Sequence, residues 1–200
     1  MARQARDVYD GAVFHIIQRG NNCQPLLKST SDFLRFLGIL KKYKKQYGFE
    51  IYNYCLMKNH IHMLMKIKLG ETAAKLFQGI FQSFQMHHRK EYGYTGRLYQ
   101  NRYISKLVER DSYMLECARY IERNPLSAKL VTSLDDYRWV SYHFYSHGKA
   151  DPLITPNPLY LDLAKTRTSR KKRYLKYLLQ ERLYETDFEE KVKKMMLVRS

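Results

Sequence analysis

The chain has 200 residues, 44% of them hydrophobic, which is enough for one well-packed domain and a short appendage. Lys and Arg number 36 against 19 Asp and Glu, a formal net charge of +17 that favours a polyanionic partner, nucleic acid before membrane. No apolar run has membrane-spanning length and the N-terminus lacks the apolar core of a secretory signal, so we expect a soluble, cytoplasmic protein.

Apolar periodicity in the first half of the chain predicts three strands and two helices. The predicted strands span 12–19, 49–57 and 60–68, and the predicted helices span 33–48 and 71–92. The second and third strands meet at Lys58-Asn59, a turn-like pair, and this favours a tight hairpin. The far end of the second helix, 86–90, is polar and basic, and we expect it to be solvated or to face phosphate.

The second half begins with a loop at 94–103 that is rich in aromatic and basic residues. After it the pattern predicts a strand at 104–108, a helix at 113–123 stopped by Asn124-Pro125, and a short helix at 137–142 that holds the only Trp. Three of the five prolines follow between Gly148 and Pro158 and mark a linker. Within the basic segment 160–200, the part 165–182 has the pattern of a basic amphipathic helix.

The order strand, helix, strand, strand, helix, strand predicts an α+β protein with a ferredoxin-like antiparallel sheet and helices packed on one face. A basic C-terminal helical appendage completes the predicted architecture. We therefore expect a domain at 1–147, a proline-rich linker at 148–159 and a basic helical tail at 160–200.

Two histidines at the start of the third strand are the first candidates for chemistry. His60 and His62 are two apart, so in a strand both imidazoles project from one face and form half of a metal site. This spacing is also common without a metal. The three cysteines, Cys23, Cys55 and Cys117, are far apart and are expected to be reduced thiols, and their spacing does not suit structural zinc.

The third helix carries the complementary groups. Tyr120 and Asn124 are four apart and share one helical face. A tyrosine hydroxyl, with a pKa of about 10, attacks a phosphodiester only when a metal or base lowers the barrier, and the Asn124 oxygen could complete a site begun by two histidines. The alternatives are that Tyr120 packs in the core and that Asn124 caps the helix before Pro125.

Segments spread over roughly residues 5 to 147 resemble a known family. They are 11–15 (Gly-Ala-Val-Phe-His) with 19–22 (Arg-Gly-Asn-Asn), 54–62, 96–103, 118–125 (Ala-Arg-Tyr-Ile-Glu-Arg-Asn-Pro) and 137–142. In this order they resemble the single-tyrosine HUH transposases, specifically the REP-associated tyrosine transposase branch of IS200-like transposases. The family usually has Pro at the position of Lys58, a departure that leaves the histidine pair intact.

The resemblance implies a metal-dependent nuclease and strand transferase that acts on single-stranded hairpin DNA of the repetitive extragenic palindrome type. It implies that His60, His62 and Asn124 ligate Mg²⁺ or Mn²⁺, and that Tyr120 becomes joined to a 5′-phosphate and leaves a free 3′-OH. Such a protein would work at the nucleoid as a monomer or homodimer. The competing interpretation is a non-catalytic nucleic-acid-binding protein of the same fold.

Candidate DNA contacts combine cations with stacking or hydrogen-bonding groups in loops beside the sheet. These candidates are Arg19, Asn21, Arg97, Gln100, Arg102 and Tyr103. The predicted tail adds Arg170, Lys171, Lys172 and Arg173. We expect this tail to be a free basic helix that binds phosphates, and either lengthens the DNA footprint or lies across the active-site groove when DNA is absent. The alternative is a solvated helix that packs on the domain without contacting DNA.

Overall fold

The computed structural model describes residues 9–109 and 111–180, together with 190 and 192. Four strands form one sheet: β1 is Val13–Arg19, β2 is Glu50–Leu56, β3 is His60–Lys66 and β4 is Ile104–Leu107. Their order is β2-β3-β1-β4, and each neighbouring pair is antiparallel. The predicted α+β class, antiparallel sheet and hairpin are confirmed.

Six α-helices accompany the sheet among the described residues. They are α1 (Thr30–Tyr47), α2 (Ala73–Tyr92), α3 (Asp111–Ser127), α4 (Tyr142–Ser146), α5 (Pro158–Asp162) and α6 (Arg167–Leu179). A capping box between Ser29 and Asp32 starts α1, and Gly48 ends it at φ 67°, a left-handed conformation that glycine adopts without strain. No helix in the described part of the chain is long and apolar enough to cross a membrane.

Helices cover both faces of the sheet, so the expectation of helices on one face is wrong. Met63 and Leu64 are adjacent in β3, so their side chains point to opposite faces of the sheet, and both are fully buried. The helix α2 lies on the Met63 side, where it lines a groove with Gln18 of β1. The helix α3 lies on the other side, where Asn124 contacts His60. Because both faces of β3 are buried, each needs its own helical layer.

The helix α3 does not stop at Asn124-Pro125, as the proline had suggested, but continues to Ser127. A proline breaks only one helical hydrogen bond, and near the end of a helix that loss is small. The actual end is at Lys129, which has φ 54°, and the Leu130 N–H donates to the Pro125 carbonyl over 3.0 Å. Asn124 is therefore inside the helix and does not cap it.

The predicted helix at 137–142 is also wrong, since α4 begins only at Tyr142. The residues before it run along the outer edge of β2 instead. The Leu56 N–H donates to the Trp139 carbonyl over 2.9 Å, and the Ser141 N–H donates to the Tyr54 carbonyl over 3.0 Å. These bonds occupy an edge strand that would otherwise expose unpaired backbone groups.

The far end of α2 is solvated at Met86, Arg89 and Lys90, as predicted, but not at its histidines. His88 is 1% exposed, and His87 Nε2 lies 3.0 Å from Asp32 Oδ1. The Tyr92 hydroxyl donates to the same carboxylate. His87 therefore packs against the start of α1, and the ring of His88 contacts Tyr92 and Tyr94.

The predicted linker at 148–159 packs against the sheet. The Thr155 N–H donates to the Ile51 carbonyl over 2.9 Å, and Leu153 and Asn157 are buried. The division of the chain into domain, linker and tail stays a prediction.

The helix α6 is docked on α3, so the expectation of a free basic helix is wrong for the described residues 160–180. Tyr174 and Leu178, four apart on one face of α6, are 1% and 0% exposed. Arg119 Nε donates to the Tyr177 carbonyl over 3.0 Å, and Arg123 Nη1 donates to the Leu178 carbonyl over 3.0 Å. The apolar stripe that suggested a DNA-binding helix is a packing face. Most of the predicted tail beyond 180 lies outside the described residues.

We expect Tyr174→Ala to lower the free energy of unfolding by about 3 kcal/mol or more, because a buried aromatic side chain is lost and a cavity remains. Leu179→Ala is the matched control on the same helix, since Leu179 is 48% exposed, and its effect should stay within about 0.5 kcal/mol. Urea unfolding measures both. Equal, small effects of the two substitutions would contradict the docking of α6.

Candidate active site

The structure brings the four predicted site residues together where β3 faces α3. His60 Nε2 lies 3.0 Å from Asn124 Oδ1. The ring centroids of His60 and His62 are 4.9 Å apart, and those of His62 and Tyr120 are 5.4 Å apart. A strand thus supplies two imidazoles, and a helix supplies an amide and a hydroxyl.

His62 is fully buried and has one ring nitrogen aimed at a second histidine. Its Nδ1 lies 3.0 Å from Nε2 of His15 in β1. Burial, followed by the nearby His60 and His15, holds the pKa of His62 well below its usual range. Burial and the charge of Lys106 lower the pKa of His15 to about 3. Both rings are therefore neutral near pH 7, and only one hydrogen can lie between them.

The other nitrogen of His62 is the unusual atom of the site. His62 Nε2 is buried, and no hydrogen-bond partner for it lies among the described residues. A buried polar atom without a partner costs about 1–3 kcal/mol, so such an atom in a polar cluster points to a missing ligand. If the Nδ1 hydrogen of His62 is donated to His15, the lone pair on Nε2 is directed into the cluster.

His60 has an oxygen acceptor at each ring nitrogen. Nδ1 lies 2.7 Å from Asn59 Oδ1, and Nε2 lies 3.0 Å from Asn124 Oδ1. Burial lowers the pKa of His60, although the contact with Asn124 acts in the opposite direction. A neutral imidazole has one N–H. When that hydrogen is donated to Asn59, the lone pair on Nε2 faces the carbonyl oxygen of Asn124, an arrangement that a cation stabilises.

These residues fit a divalent ion. Two ligand atoms at right angles on an ion, each about 2.1 Å from it, are about 3.0 Å apart, which is the separation of His60 Nε2 and Asn124 Oδ1. His62 Nε2, which has no hydrogen-bond partner among the described residues, could supply a third ligand atom. Imidazole nitrogen and amide oxygen suit Mn²⁺ and, with more oxygen ligands, Mg²⁺.

The sequence reasoning gave no role to His15, which orients His62. His15 Nδ1 lies 3.9 Å from Cys117 Sγ in α3, so the contacts run from α3 through His15 to His62. A metal-ligating histidine is commonly held by a hydrogen bond at its other nitrogen. His15 belongs to one of the segments that carry the family resemblance, but only the register of β1 against β3 places it beside His62.

The reverse side of α3 is anchored by a buried carboxylate. Glu122 accepts hydrogen bonds from Ser141 Oγ at 2.5 Å, Asn53 Nδ2 at 2.8 Å and the Tyr174 hydroxyl at 2.9 Å. Burial raises the pKa of Glu122 to about 7, although these three bonds act to lower it. Glu122 therefore ties α3 to β2 and α6 and fixes the helix that carries Tyr120.

The predicted DNA contacts in the loops do cluster, at the end of β1. The Asn21 N–H donates to the Leu98 carbonyl, and the Gln100 N–H donates to the Arg19 carbonyl. Arg19, Gln100 and Arg102 line a cleft there. Arg97 and Tyr103 belong to the same stretch of chain as Gln100 and Arg102. The two loops therefore form one basic surface.

This surface adjoins the histidines. Arg19 in β1 lies directly opposite His60 in β3, and the charge of Arg19 contributes to the lowered pKa of that histidine. Gly20 makes the turn possible, since a Cβ there would clash with the Gln24 carbonyl oxygen. A phosphate beside His60 would lie next to a guanidinium.

The cations predicted for the tail are partly engaged within the chain. Arg170, Lys171 and Arg173 each donate a hydrogen bond to a main-chain carbonyl oxygen, and Lys172 is exposed. Their contact with DNA stays a prediction.

A second histidine group lies on other elements. Asp135 Oδ1 is 2.5 Å from His147 Nε2, and His143 is one turn away from His147. These three residues could share an ion. They include neither Tyr120 nor the residues around it, so they provide a control for metal binding at His60 and His62.

Comparisons with known proteins give a family match and structural relatives. The family model described as transposase IS200 like matches residues 8–124, more than half of the chain. A REP-associated tyrosine transposase, solved bound to a REP hairpin, superposes with a TM-score of 0.62 at 18% identity, over 80% of this chain and 93% of the other. A candidate transposase from Deinococcus radiodurans has a TM-score of 0.37 at 17% identity, over 64% of this chain and 95% of the other. No curated protein matches the chain.

Proposed function

Because the chain belongs to the family of IS200-like transposases, we propose that it is a metal-dependent endonuclease and strand transferase for single-stranded DNA that acts through Tyr120. The observation that carries the proposal is the convergence of Tyr120 with His60, His62 and Asn124, in which His62 Nε2 is buried without a partner among the described residues. A hydroxyl beside a set of metal ligands suits phosphodiester cleavage.

In this proposal the Tyr120 oxygen attacks a backbone phosphorus, and the bond from that phosphorus to the 3′ oxygen breaks. The phenolic proton leaves the tyrosine, and the departing oxygen takes up a proton, which gives a 3′-OH and a 5′-phosphotyrosine. Attack of another 3′-OH on this phosphotyrosine restores the tyrosine and joins two strands. Each step forms one phosphorus–oxygen ester bond and breaks another, so strand transfer needs no external energy source.

His60, His62 and Asn124 would hold a divalent ion, Mg²⁺ or Mn²⁺. Such an ion withdraws electron density from the phosphate and stabilises charge on the leaving oxygen. Asn59 and His15 keep the two imidazoles in place through contacts of 2.7 Å and 3.0 Å.

The proposed substrate is single-stranded DNA that folds into a hairpin. The net charge of +17 and the cleft of Arg19, Gln100 and Arg102 suit a nucleic-acid backbone. The structural relative that was solved with a REP hairpin gives this substrate class further support.

Binding should favour a hairpin with unpaired flanks over a blunt duplex of the same sequence, by about tenfold at matched salt, because the exposed bases add stacking contacts. Arg102→Ala should weaken hairpin binding and reduce the slope of log K against log salt by about 0.7 if the lost contact is to a single strand. Fluorescence anisotropy at several salt concentrations measures both quantities. Lys45→Ala, an exposed cation on α1, is the matched control and should change neither. Equal affinity for hairpin and duplex would contradict the proposed specificity.

Cleavage is tested by incubating the protein with Mn²⁺ and a hairpin oligonucleotide whose sequence is taken from the DNA that flanks its gene. A denaturing gel should resolve a protein–DNA adduct and a released fragment that a polymerase can extend from its 3′-OH. Hairpin binding without any adduct or fragment would instead identify a non-catalytic DNA-binding protein.

A further inference from the structure

The second histidine group, Asp135, His143 and His147, is a set of metal ligands that the proposed function does not use. Each residue offers one ligand atom, and these atoms all lie within 4.8 Å of one another. In the described part of the chain, it is the one place where three side chains of the His, Cys, Asp and Glu types converge in this way. None of the three belongs to β3 or α3, which carry the candidate active site. The group is therefore a separate centre.

Two of the three ligands are placed by one turn of helix. His143 lies in α4, and His147 comes four positions later, directly after the last residue of that helix, so the two imidazoles share one side of it. Their ring centroids are 5.9 Å apart, with 30° between the planes. The buried Tyr142 ring meets both of them edge to face, at 5.4 Å and 5.5 Å. A fixed aromatic ring thus supports both imidazoles.

The third ligand comes from the turn at 134–136. Ser133 Oγ accepts the Asp135 N–H and donates to Asp135 Oδ2, each over 3.3 Å, and these bonds orient the carboxylate. The other carboxylate oxygen, Oδ1, lies 2.5 Å from His147 Nε2. An exposed contact of this kind contributes little to stability by itself. A carboxylate that is held by a serine and faces an imidazole fits a metal site.

His143 has the outer hydrogen bond that metal-ligating histidines commonly have. Its Nε2 lies 2.9 Å from the Tyr137 carbonyl oxygen. A carbonyl oxygen only accepts, so Nε2 carries the hydrogen, and in the neutral ring the lone pair is on Nδ1, where it can bind an ion. This contact is independent of the spacing of the three ligands, and it supports the same use of the group.

The donor types select the ion. Two imidazoles and one carboxylate are the ligand set of zinc sites in which water takes the fourth position. Mg²⁺ prefers oxygen ligands in an octahedral arrangement and fits this set poorly. Ligand atoms around a tetrahedral Zn²⁺ are about 3.3 Å apart. Because the side chains of Asp135 and His147 are exposed, small rotations can bring the three ligand atoms to that separation.

The segment between the ligands covers the outer edge of β2. Within it, the Trp139 carbonyl accepts the Leu56 N–H over 2.9 Å, and the Tyr137 hydroxyl donates to the Leu56 carbonyl over 2.8 Å. An ion bound to Asp135 at one end and to His143 at the other closes this segment into a loop. Such closure stabilises the folded chain, because the ion binds the folded state and not the unfolded one.

We propose that Asp135, His143 and His147 bind one Zn²⁺ ion, with water as the fourth ligand, and that this ion fastens the segment 135–147 over the edge of β2. The site is distinct from the divalent-ion site proposed at His60 and His62. It does not depend on the proposed function, since a protein of this fold that never cleaves DNA would bind the same ion.

The test counts Zn²⁺ ions by competition with a chromophoric chelator, using the full chain in a His60→Ala background that lacks one ligand of the other site. This variant should bind one Zn²⁺. Adding His147→Ala should weaken Zn²⁺ binding by more than about 100-fold. Adding Asp135→Asn, which keeps an acceptor for His147 and removes the charge, should weaken it at least about tenfold. Both residues are exposed, so the metal-free variants should unfold within about 2 °C of their parent.

Thermal unfolding tests the fastening role. Zn²⁺ at about 100 times its dissociation constant should raise the Tm of the His60→Ala protein by about 5 °C or more, and the shift should disappear with His147→Ala. His87→Ala is the matched control, because His87 pairs with Asp32 over 3.0 Å on other elements, and it should keep both the affinity and the shift. In the wild-type background, His147→Ala should lower the number of bound Zn²⁺ ions by one.

Equal Zn²⁺ affinity with and without His147→Ala would overturn the site, and so would the absence of bound Zn²⁺ in the His60→Ala protein. An equal loss in His87→Ala would also overturn it, because binding would then not depend on this group. Zn²⁺ binding that leaves the Tm unchanged would overturn the fastening of the segment over β2.

Discussion

Tyr120→Phe should reduce covalent attachment to DNA by at least about 10³-fold, because the substitution removes the nucleophilic oxygen and nothing else of the side chain. The ring that lies 5.4 Å from His62 and 6.0 Å from His15 is retained, so hairpin affinity should change less than about twofold. Single-turnover cleavage, followed by denaturing gel electrophoresis, measures the first quantity, and anisotropy measures the second.

Tyr113→Phe is the matched control, because Tyr113 is on the same helix. Burial raises the pKa of its hydroxyl, and Lys106 Nζ lies 4.5 Å from its ring centroid. Removal of the Tyr113 hydroxyl should leave covalent attachment to DNA unaffected. Cleavage at the wild-type rate by Tyr120→Phe would exclude Tyr120, and Tyr113 and Tyr103 would then be the candidates.

Loss of either histidine of the pair should remove most of the Mn²⁺ affinity. Replacing a residue that only supports a ligand typically costs about 10–100-fold in affinity, so His60→Ala and His62→Ala, which remove ligands, should each cost more than about 100-fold. Asn124→Ala should act in the same direction and less strongly. Isothermal titration calorimetry with Mn²⁺ on the metal-free protein gives the affinities.

Two controls make the metal titration decisive. His143→Ala alters the separate group with Asp135 and His147 and should leave the Mn²⁺ affinity of the first site unchanged. His62 is fully buried, whereas His60 is partly exposed, so His60→Ala with an unaltered circular dichroism spectrum tests the site even where His62→Ala unfolds. Unaltered Mn²⁺ affinity in both His60→Ala and His62→Ala would show that the ion binds elsewhere. A loss of Mn²⁺ affinity in His143→Ala would then place it at the group of Asp135, His143 and His147.

Local sequence signals predicted the sheet and the histidine pair well. The hairpin followed from two apolar runs around Lys58-Asn59, and strand alternation placed His60 and His62 on one face. The helix period placed Tyr120 and Asn124 together. Each of these inferences depends on residues close in sequence, where backbone geometry fixes which side chains are neighbours.

Features that depend on contacts between distant elements could not be read in this way. The stripe of Tyr174 and Leu178 has the same pattern whether a helix binds DNA or packs on a protein, and only its burial against α3 distinguishes the two. The contact of His15 with His62 depends on strand register. The continuation of α3 past Pro125 depends on hydrogen bonds of the residues after it.

The most direct test of the account is to identify the amino acid that carries the DNA. The adduct formed with Mn²⁺ and the hairpin oligonucleotide is digested with nuclease and protease, and the nucleotide-modified peptide is sequenced by mass spectrometry. We predict one modified residue, Tyr120, joined to a 5′-phosphate. A nucleotide on Tyr103 or Tyr113, or on any residue other than Tyr120, would contradict it.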